Sequence, residues 1–511
     1  MNLSGRSIID VLPGEGWWGG AVADGKSMPF GTSPLHRDLG SNAGYLDDAG
    51  DGANQSAPLL LSNAGRVLWS TEPFAFSFDD GRLVVEGPSE LLTASGGTLR
   101  DAYQLASARF FAPSGRTPAR ELFARPQYNT WIEAPYTPTQ EGVLSYARQL
   151  LDAGFPPGVL MIDDSWAPDY GDWRFDRTRF PDASGMLDEL HTLGFSVMLW
   201  IVPFLSPDGA VFRRLRALGL LLRGADGEVA VRRWWNGYSA VLDLTDPGAI
   251  GWFREQLDAL QDLGVDGFKF DAGDLRDFRD GDLSFDASGP VGQAESWAQL
   301  GVSYPFNEFR ASWKMGGQPL AQRLHDKPAT WGARGIGSLI PEGIAQGLIG
   351  HAFICADMVG GGDLNSFAPG ASVDQEQFVR YAQCAALFPM MQFSISPARV
   401  LDREHLDAVR AAVTLRESLL PEILTLVDHA AATGEPIVRA LAYHHAGFES
   451  VTDQFLLGED ILVAPVLERG ATTRIVVIPP ETWTDEHGIA FTEGLAEIPV
   501  GLRTVPVFRR G

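Results

Sequence analysis

The feature that most constrains the fold of this 511-residue chain is an alternation of strand and helix patterns that begins near Tyr128. Uninterrupted apolar runs such as PGVLMIDD, SVMLWIVPF and VDGFKFD alternate with amphipathic stretches such as MLDELHTLGF and GAIGWFREQLDALQDLG. Strands without polar alternation are buried on both faces, which indicates a parallel sheet with crossover helices. Later strand candidates are PATWG, HAFICADM and LFPMMQFS. Their number and spacing predict an α/β fold, the (β/α)8 TIM barrel.

The segments on either side of this region have a different pattern. Residues 1–122 are rich in Gly, Asp and Ser and contain the short runs APLLLS, GRVLWS, FAFSF and GRLVVEG, which are typical of a β-sandwich. A helix-rich stretch ends near Asp428, and EDILVAPVLE and TRIVVIPP then indicate a second β region. We therefore predict an N-terminal β-sandwich over 1–122, a barrel over 123–430 and a C-terminal β domain over 431–511.

Charge and cysteine content exclude several classes of protein. The formal net charge of −25 disfavours nucleic acid and acidic membrane surfaces as partners. Cys355 and Cys384 both lie in apolar runs and are interpreted as buried thiols, not as a disulfide. The first 20 residues lack the pattern of a secretory signal, and no apolar run reaches the roughly 18 residues of a membrane span. We expect a cytoplasmic protein, and the sequence leaves homo-oligomerisation open.

Side chains at strand ends are the informative positions, because barrel enzymes place their catalytic groups at the C-terminal ends of the strands. These places hold acidic side chains that can bond sugar hydroxyls, Trp side chains whose faces can stack on a sugar ring, and one Lys. The residues are Asp163, Asp164, Trp200, Lys269, Asp271, Trp331 and Asp357. An Asp in such a loop can instead cap the following helix. The complete set favours a sugar pocket.

Asp271 is the best candidate for a nucleophile. Cleavage of a glycoside with retention needs one carboxylate that attacks the anomeric carbon and one acid at the leaving oxygen. Lys269 lies two residues before Asp271 and therefore on the same face of the strand. Its ammonium group would keep the carboxylate ionised and could hold a sugar hydroxyl.

A loop cluster and the histidines complete the candidate residues. Trp234, Trp235, Asn236 and Tyr238 precede VLDL, where they could wall the sugar site or pack the loop against the barrel. The nine His show no HExxH or similar spacing, so no metal site is expected.

These motifs resemble glycoside hydrolase family 31 over nearly the whole chain. YNTWIEAPYTPTQEGVLSYARQLLDAGFPPGVLMIDDSW is similar to the barrel entry of that family, GVDGFKFDAGD to its nucleophile strand, ADMVGG to its Asp-Ile-Gly-Gly segment and DQFLLGEDILVAPVLERG to the start of its C-terminal domains. RWWNGYSAVLD and LFPMMQFSISPARVLD resemble a branch of the family that is linked to α-galactosidase activity.

The resemblance implies a nucleophile at Asp271, no metal or organic cofactor, and a small oligosaccharide or glycoside as substrate. The subsite for the cleaved sugar would be lined by Asp163, Asp164, Trp200, Lys269, Arg323, Trp331 and Asp357. A loop of the N-terminal domain would add Trp17, Trp18 and Asp48, unless these residues belong to the sandwich itself.

The resemblance also implies an acid/base Asp shortly after Trp331, where the sequence TWGARGIGSLIP has none. Ala333 or Arg334 stands in that place, and neither can protonate a leaving oxygen at neutral pH. Three explanations remain: Ala333 replaces a catalytic Asp and the chain is an inactivated variant, Asp326 or Asp357 serves instead, or the protein binds sugars with reduced catalysis. We expect a retaining α-galactosidase, with an α-glucosidase of the same family and a non-catalytic carbohydrate-binding protein as alternatives.

Overall fold

The structure, a computed structural model, describes residues 2–3, 5–31, 33–40, 55–368 and 370–511. Its centre is a parallel sheet in which strands that follow each other along the chain lie side by side, and the eighth strand pairs with the first. A further parallel bridge between Cys355 and Met390 links the seventh strand to the segment before the eighth. The predicted TIM barrel is therefore confirmed. Its eight strands are Gln127–Asn129, Val159–Ile162, Ser196–Ile201, Gly267–Phe270, Phe306–Phe309, Gln322–Arg323, Ile354–Cys355 and Gln392–Phe393.

Helices pack around this sheet and begin at capping residues that the sequence supplies. Asp246 accepts a hydrogen bond from the backbone N–H of Gly248, and Pro247 at the first helical position starts the helix. The same helix ends at Gly264, whose φ of +115° suits glycine. The barrel helices are Gln140–Asp152, Ala183–Thr192, Ala210–Leu218, Pro247–Leu263, Gly289–Gly301, Leu339–Leu348 and Gln375–Ala386, followed by Pro397–Val400, Arg403–Ser418 and Leu420–Thr433.

The sixth strand lies earlier in the chain than predicted. PATWG is not a strand: it lies in the connection between Gln322–Arg323 and the short 3-10 helix Ile336–Ser338. The true strand has two residues, both polar and both buried, so its composition does not suggest a strand. No helix separates it from the fifth strand, which removes the alternation that revealed the other strands.

The N-terminal region forms two antiparallel sheets whose side chains meet. The ring of Phe76 from one sheet lies 3.1 Å from the position a Cβ would take at Gly20 in the other. The first sheet runs in the order Arg6–Asp10, Arg82–Glu86, Ala75–Asp79, Leu35–Asp38. The second contains Asn2–Leu3, Ser89–Thr93, Arg66–Trp69, Gln55–Ser62 and Trp17–Ala21. The 3-10 helix Val22–Ser27 and the helices Leu99–Phe110 and Glu121–Ala124 lead toward the barrel.

One strand of the second N-terminal sheet comes from the barrel. Ser312–Trp313, which follows the fifth barrel strand, pairs in parallel with Gln55 and Ser56. This segment takes the place of a crossover helix between the fifth and sixth strands. The N-terminal sheet is therefore joined to the barrel by backbone hydrogen bonds next to two strand ends.

Two smaller sheets complete the fold. An insertion after the third barrel strand forms a three-stranded sheet in the order Phe204–Leu205, Gly237–Val241, Val231–Trp234. The C-terminal sheet runs in the order Val438–Arg439, Phe455–Leu457, Ile461–Val463, Val507–Arg510, Thr473–Asp485, Ala490–Pro499, and Trp483 and Phe508 lie in a small core of its own. Within the described ranges, no helix combines the length and apolar character needed to cross a bilayer.

Candidate active site

Asp271 directly follows the fourth barrel strand and is held by three donors. Trp200 donates its indole Nε1–H to Oδ2 over 2.7 Å, and Arg310 donates from Nε to Oδ1 over 2.8 Å. The backbone N–H of Ala272 also donates to Oδ1, at 2.9 Å. Burial alone would raise the pKa of Asp271, but the charges of Arg310 and Lys269 outweigh it and hold that pKa well below its usual range. Asp271 is therefore an oriented, ionised carboxylate.

Lys269 connects Asp271 to the second strand. Its Nζ donates to Oδ2 of Asp163 over 2.8 Å and lies 3.9 Å from Oδ2 of Asp271. Strand register explains this position, because Lys269 pairs with Trp200 on one neighbouring strand and with Glu308 on the other. Although burial opposes it, the carboxylates of Asp163 and Asp271 raise the pKa of the lysine, which stays charged.

Asp164 has neutral partners instead of a cation. Asn236 donates from Nδ2 to Oδ2 over 2.5 Å, and the hydroxyl of Tyr170 lies 3.2 Å from Oδ1. Burial, followed by the charge of Asp163, raises the pKa of Asp164 to about 7. Near neutral pH this side chain can both accept and donate hydrogen bonds, which suits the recognition of a sugar hydroxyl.

Aromatic side chains form a wall around these carboxylates. The rings of Trp200 and Trp234 are nearly parallel, with centroids 6.4 Å apart, and Tyr170 packs edge-on against Trp234 at 4.9 Å. Trp234 is buried, and its Nε1–H donates a hydrogen bond to Oγ of Ser239. This bond fixes the ring that packs beside Trp200. Trp235 packs over the guanidinium group of Arg310, whose Cζ lies 5.1 Å from the ring centroid.

A second group of charged side chains lies at the ends of the fifth to seventh strands. Nη1 of Arg323 donates to Oδ1 of Asp357 over 2.6 Å and to Oδ1 of Asp326 over 2.9 Å, and Nε of Arg323 lies 3.3 Å from Glu308. Asp357 is fully buried and also accepts the backbone N–H groups of Lys327 and Gly362.

Asp326 is the more accessible of these two carboxylates. Its side chain is 26% exposed, whereas that of Asp357 is 0% exposed. Within the described part of the chain, Oδ2 of Asp326 makes no hydrogen bond, so this oxygen can meet a ligand. Burial raises the pKa of Asp357, and its three donors are those of a structural carboxylate.

Most residues predicted from strand ends are brought together. Asp163, Asp164, Trp200, Lys269 and Asp271 form one connected cluster, and Arg323 joins Asp357. Trp331 lies on the connection after the sixth strand, half-buried, and donates from Nε1 to Asp374 over 2.9 Å.

Three other predicted positions do not join this cluster. Trp17 and Trp18 are core residues of the N-terminal domain: their strand pairs with Gln55–Ser62, and Trp18 is only 3% exposed. Ala333 lies in an exposed turn. The expectation of an acid shortly after Trp331 came from the family resemblance; in the structure the first carboxylate after the end of the sixth strand, Gln322–Arg323, is Asp326. Asp48 lies outside the described residues.

Sequence reasoning missed Arg310, Glu308 and Gln55. Arg310 follows the fifth strand in FNEFRASW, a run whose polar residues conceal a buried strand. Gln55 comes from the N-terminal domain, yet its Nε2 donates to the carbonyl oxygens of Arg310 (3.0 Å) and Arg323 (2.7 Å). Because the polar residues of FNEFRASW conceal the strand, no sequence pattern indicated Arg310, and none indicated Gln55.

The arrangement provides an ionised carboxylate, a separate carboxylate with an accessible oxygen, and hydrogen-bonding groups beside aromatic rings. These are the elements of acid-assisted displacement at a sugar carbon. Among the described residues, no group of three or more His, Cys, Asp or Glu side chains is arranged to hold a metal ion.

Two family models match the chain in order. The Glycosyl hydrolases family 31 TIM-barrel domain matches residues 121–296, and the Glycosyl hydrolase family 31 C-terminal domain matches residues 434–511. Myogenesis-regulating glycosidase from Mus musculus is 35% identical over 420 residues, which cover 78% of this chain and 58% of the relative. Alpha-xylosidase XylQ from Lactiplantibacillus pentosus is 25% identical over 475 residues, which cover 86% of this chain and 60% of the relative. The chain thus spans less than two thirds of the length of these curated relatives.

Solved structures agree in fold. A GH31 dextranase from Flavobacterium johnsoniae, complexed with glucose, superposes with a TM-score of 0.86 at 20% identity, covering 99% of this chain and 66% of that one. At this identity the likeness concerns the fold alone. The barrel, the two family models and the curated relatives together show that this chain belongs to glycoside hydrolase family 31.

Proposed function

We propose that this protein is a retaining α-glycosidase with Asp271 as its nucleophile. The observation that carries the proposal is the environment of Asp271: two cations and an indole N–H keep a buried carboxylate ionised and fixed at a barrel strand end. Such a carboxylate can attack an anomeric carbon without first losing a proton.

We assign the acid/base role to Asp326 instead of to position 333. Asp326 is the carboxylate with an oxygen that accepts no hydrogen bond from the described residues, and it is partly exposed. Asp357 is a weaker candidate, because three donors and complete burial leave it no access to a ligand. With Asp326 in this role, Ala333 does not mark an inactivated chain.

The two carboxylates would act in two displacements. A carboxylate oxygen of Asp271 bonds to the anomeric carbon while the glycosidic C–O bond breaks and protonated Asp326 transfers its proton to the leaving oxygen. Water then attacks the glycosyl ester, Asp326 takes the proton of that water, and Asp271 leaves as a carboxylate. Two inversions return the α configuration.

The favoured substrates are small α-galactosides. The support is the motifs RWWNGYSAVLD and LFPMMQFSISPARVLD, which resemble the branch linked to α-galactosidase activity. The second candidate is an α-glucosidase or α-xylosidase, which is favoured by relatives named alpha-xylosidase and 1,3-alpha-isomaltosidase. Galactosides and glucosides differ in the direction of the C4 hydroxyl, and xylosides lack the C6 hydroxymethyl group. The contacts of the pocket at these two positions therefore decide between the two candidates.

A panel of nitrophenyl α-galactoside, α-glucoside and α-xyloside, followed by proton NMR of the first-formed sugar, tests the proposal. We expect turnover with an initial α anomer and the highest kcat/KM for the galactoside. An initial β anomer contradicts the double displacement, and a higher kcat/KM for glucoside or xyloside selects the second candidate. Binding of sugars without turnover of any substrate would identify a non-catalytic carbohydrate-binding protein.

The nucleophile can be identified directly. A 5-fluoro glycosyl fluoride should leave a covalent sugar on the peptide that contains Asp271, detected by mass spectrometry after proteolysis. Asp271→Asn should abolish the label while its circular dichroism matches that of the parent. Label on another carboxylate overturns the assignment.

A further inference from the structure

The backbone takes a left-handed conformation directly after the fourth barrel strand. Ala272, the residue that follows Asp271, has a φ of +54°, and Gly273 has a φ of +74°. Glycine adopts such angles freely, whereas the Cβ atom of any other L residue makes them costly. Residues held in such sparsely populated conformations concentrate at functional sites, where the surrounding structure keeps them in place. The strain at Ala272 therefore points to a role beside Asp271.

The N–H group of Ala272 bonds to the side chain of the preceding residue. It donates to Oδ1 of Asp271 over 2.9 Å. The same oxygen accepts from Nε of Arg310 over 2.8 Å, and Oδ2 accepts from the indole of Trp200 over 2.7 Å. Rotation of the carboxylate is consequently restricted by the main chain as well as by two side chains.

The chain on both sides of this N–H group is fixed. The backbone N–H of Asp271 donates to the carbonyl oxygen of Ile201 on the third strand, over 2.9 Å. Trp297, a buried residue of the helix Gly289–Gly301, packs edge-on against Phe270 with ring centroids 5.2 Å apart. A Cβ atom at Gly273 would collide with the ring of this tryptophan. The segment around Asp271 is therefore held between the third strand and a helix.

Ala272 lies between these two points of attachment and is 0% exposed. Its N–H group belongs to the peptide unit that follows Asp271, and its φ angle sets how that unit is turned relative to Gly273. The Cβ atom confines φ and ψ to the small left-handed region, whereas glycine could take up many other angles. The methyl group of Ala272 therefore limits rotation of the peptide unit whose N–H holds Oδ1.

A similar arrangement occurs after the second strand. Ser165 directly follows Asp164 and has a φ of +71°, and its backbone forms a hydrogen bond with the carboxylate of Asp164. At two strand ends, a carboxylate of the site is thus followed by a left-handed residue that is not glycine. The recurrence favours a role in orienting carboxylates over an accident of one turn.

We propose that Ala272 is a positioning residue whose confined, left-handed backbone holds the carboxylate of Asp271 in the orientation that attacks the anomeric carbon. The proposal rests on the proposed function, because it takes Asp271 as the nucleophile. Ala272 acts only through Asp271 and exchanges no proton or bond with the substrate. Because attack requires close alignment of the reacting atoms, a small loss of orientation lowers the rate constant of the first displacement more than it weakens binding.

Ala272→Gly tests the proposal, because glycine can keep the left-handed turn but lacks the confinement. The reaction to follow is labelling of Asp271 by the 5-fluoro glycosyl fluoride, in which the carboxylate oxygen bonds to the anomeric carbon and fluoride leaves without needing a proton from Asp326. We expect the labelling rate constant at saturating reagent to fall by about 10- to 100-fold. The reagent concentration that gives half of this rate should stay within about twofold of the parent value, since the groups that bind the sugar are unchanged.

Ala287→Gly is the matched control. Ala287 has almost the same left-handed φ, +57°, but it is exposed and lies just before the helix Gly289–Gly301. The same substitution there removes a Cβ atom from the same backbone conformation, and the labelling rate should equal that of the parent. Ala272→Ser keeps the Cβ atom and should retain most of the rate. Circular dichroism and thermal unfolding verify that each variant is folded.

A parental labelling rate in Ala272→Gly would overturn the proposal, and so would equal losses of rate in Ala272→Gly and in either Ala287→Gly or Ala272→Ser. A weaker half-saturation at an unchanged rate constant would also contradict it, because binding and not orientation would then have changed. The parent protein distinguishes the two levels. If the parent is not labelled at Asp271, the proposed nucleophile itself fails. If the parent is labelled there and Ala272→Gly keeps its rate, only the positioning role fails.

Discussion

Nε of Arg310 donates a hydrogen bond to Oδ1 of Asp271 over 2.8 Å, and this contact joins residues that follow the fourth and fifth barrel strands. Arg310 is buried, and Trp235 covers its guanidinium group. Burial raises the pKa of Asp271, and the positive charge of Arg310 lowers it more than any other single group does. The contact therefore makes Arg310 one of the groups that keep Asp271, the proposed nucleophile, ionised.

Arg310→Met should move the acidic limb of kcat/KM to higher pH. Loss of the guanidinium charge raises the pKa of Asp271, so the ionised nucleophile is lost at a higher pH as the solution is acidified. A shift of about one to three pH units is expected for the loss of a close opposite charge. Arg310→Lys keeps the charge and should shift the limb less, and an unchanged limb in Arg310→Met would contradict the role assigned to Arg310.

Asp326→Asn should lower kcat/KM for substrates with poor leaving groups by about 10² to 10⁴, the usual contribution of a general acid. Activated nitrophenyl substrates need little protonation and should be affected far less, and azide should accelerate their turnover. Ala333→Asp serves as the competing variant. A gain of similar size in Ala333→Asp, with no loss in Asp326→Asn, would return the acid/base role to position 333.

Asn236→Ala should alter sugar binding in a pH-dependent way. The pKa of Asp164 is raised to about 7 by burial and by Asp163, while the hydrogen bond from Asn236 lowers it. Without that hydrogen bond the pKa rises further, so the change in KM that accompanies titration of Asp164 should move to higher pH. KM measured between pH 5 and 9 checks this. Parallel profiles in the parent and in Asn236→Ala would contradict it.

Gln55→Met should reduce both stability and kcat. The amide of Gln55 donates to the carbonyl oxygens of Arg310 and Arg323, and its loss removes one donor from each of these two buried acceptors. A decrease of about 2 kcal/mol in the free energy of unfolding is expected. Urea unfolding measures the decrease, and Gln299→Met, at an exposed position, is the control. A loss of stability at unchanged kcat would mean that Gln55 supports the fold without positioning these strand ends.

The long apolar strands and amphipathic helices were predictable because their periodicity is local. VLMI, SVMLWI and GFKF became the second, third and fourth strands, and Asp163, Trp200, Lys269 and Asp271 followed from the rule that strand ends carry the site. The fifth and sixth strands were not predicted, since Asn307, Glu308, Gln322 and Arg323 are polar residues buried by tertiary contacts.

The sequence by itself determined the barrel, the β regions at both ends and the strand that ends before Asp271, because residue periodicity and the side-chain order along one strand are properties of neighbouring residues. Tertiary structure alone decided which distant groups act on Asp271 and on the neighbouring strand ends. Arg310 reaches Asp271 across neighbouring strands, and Gln55 reaches the barrel from the N-terminal sheet. Hydrogen bonds and charges act over a few ångströms in space, and no pattern along the chain encodes which residues come that close.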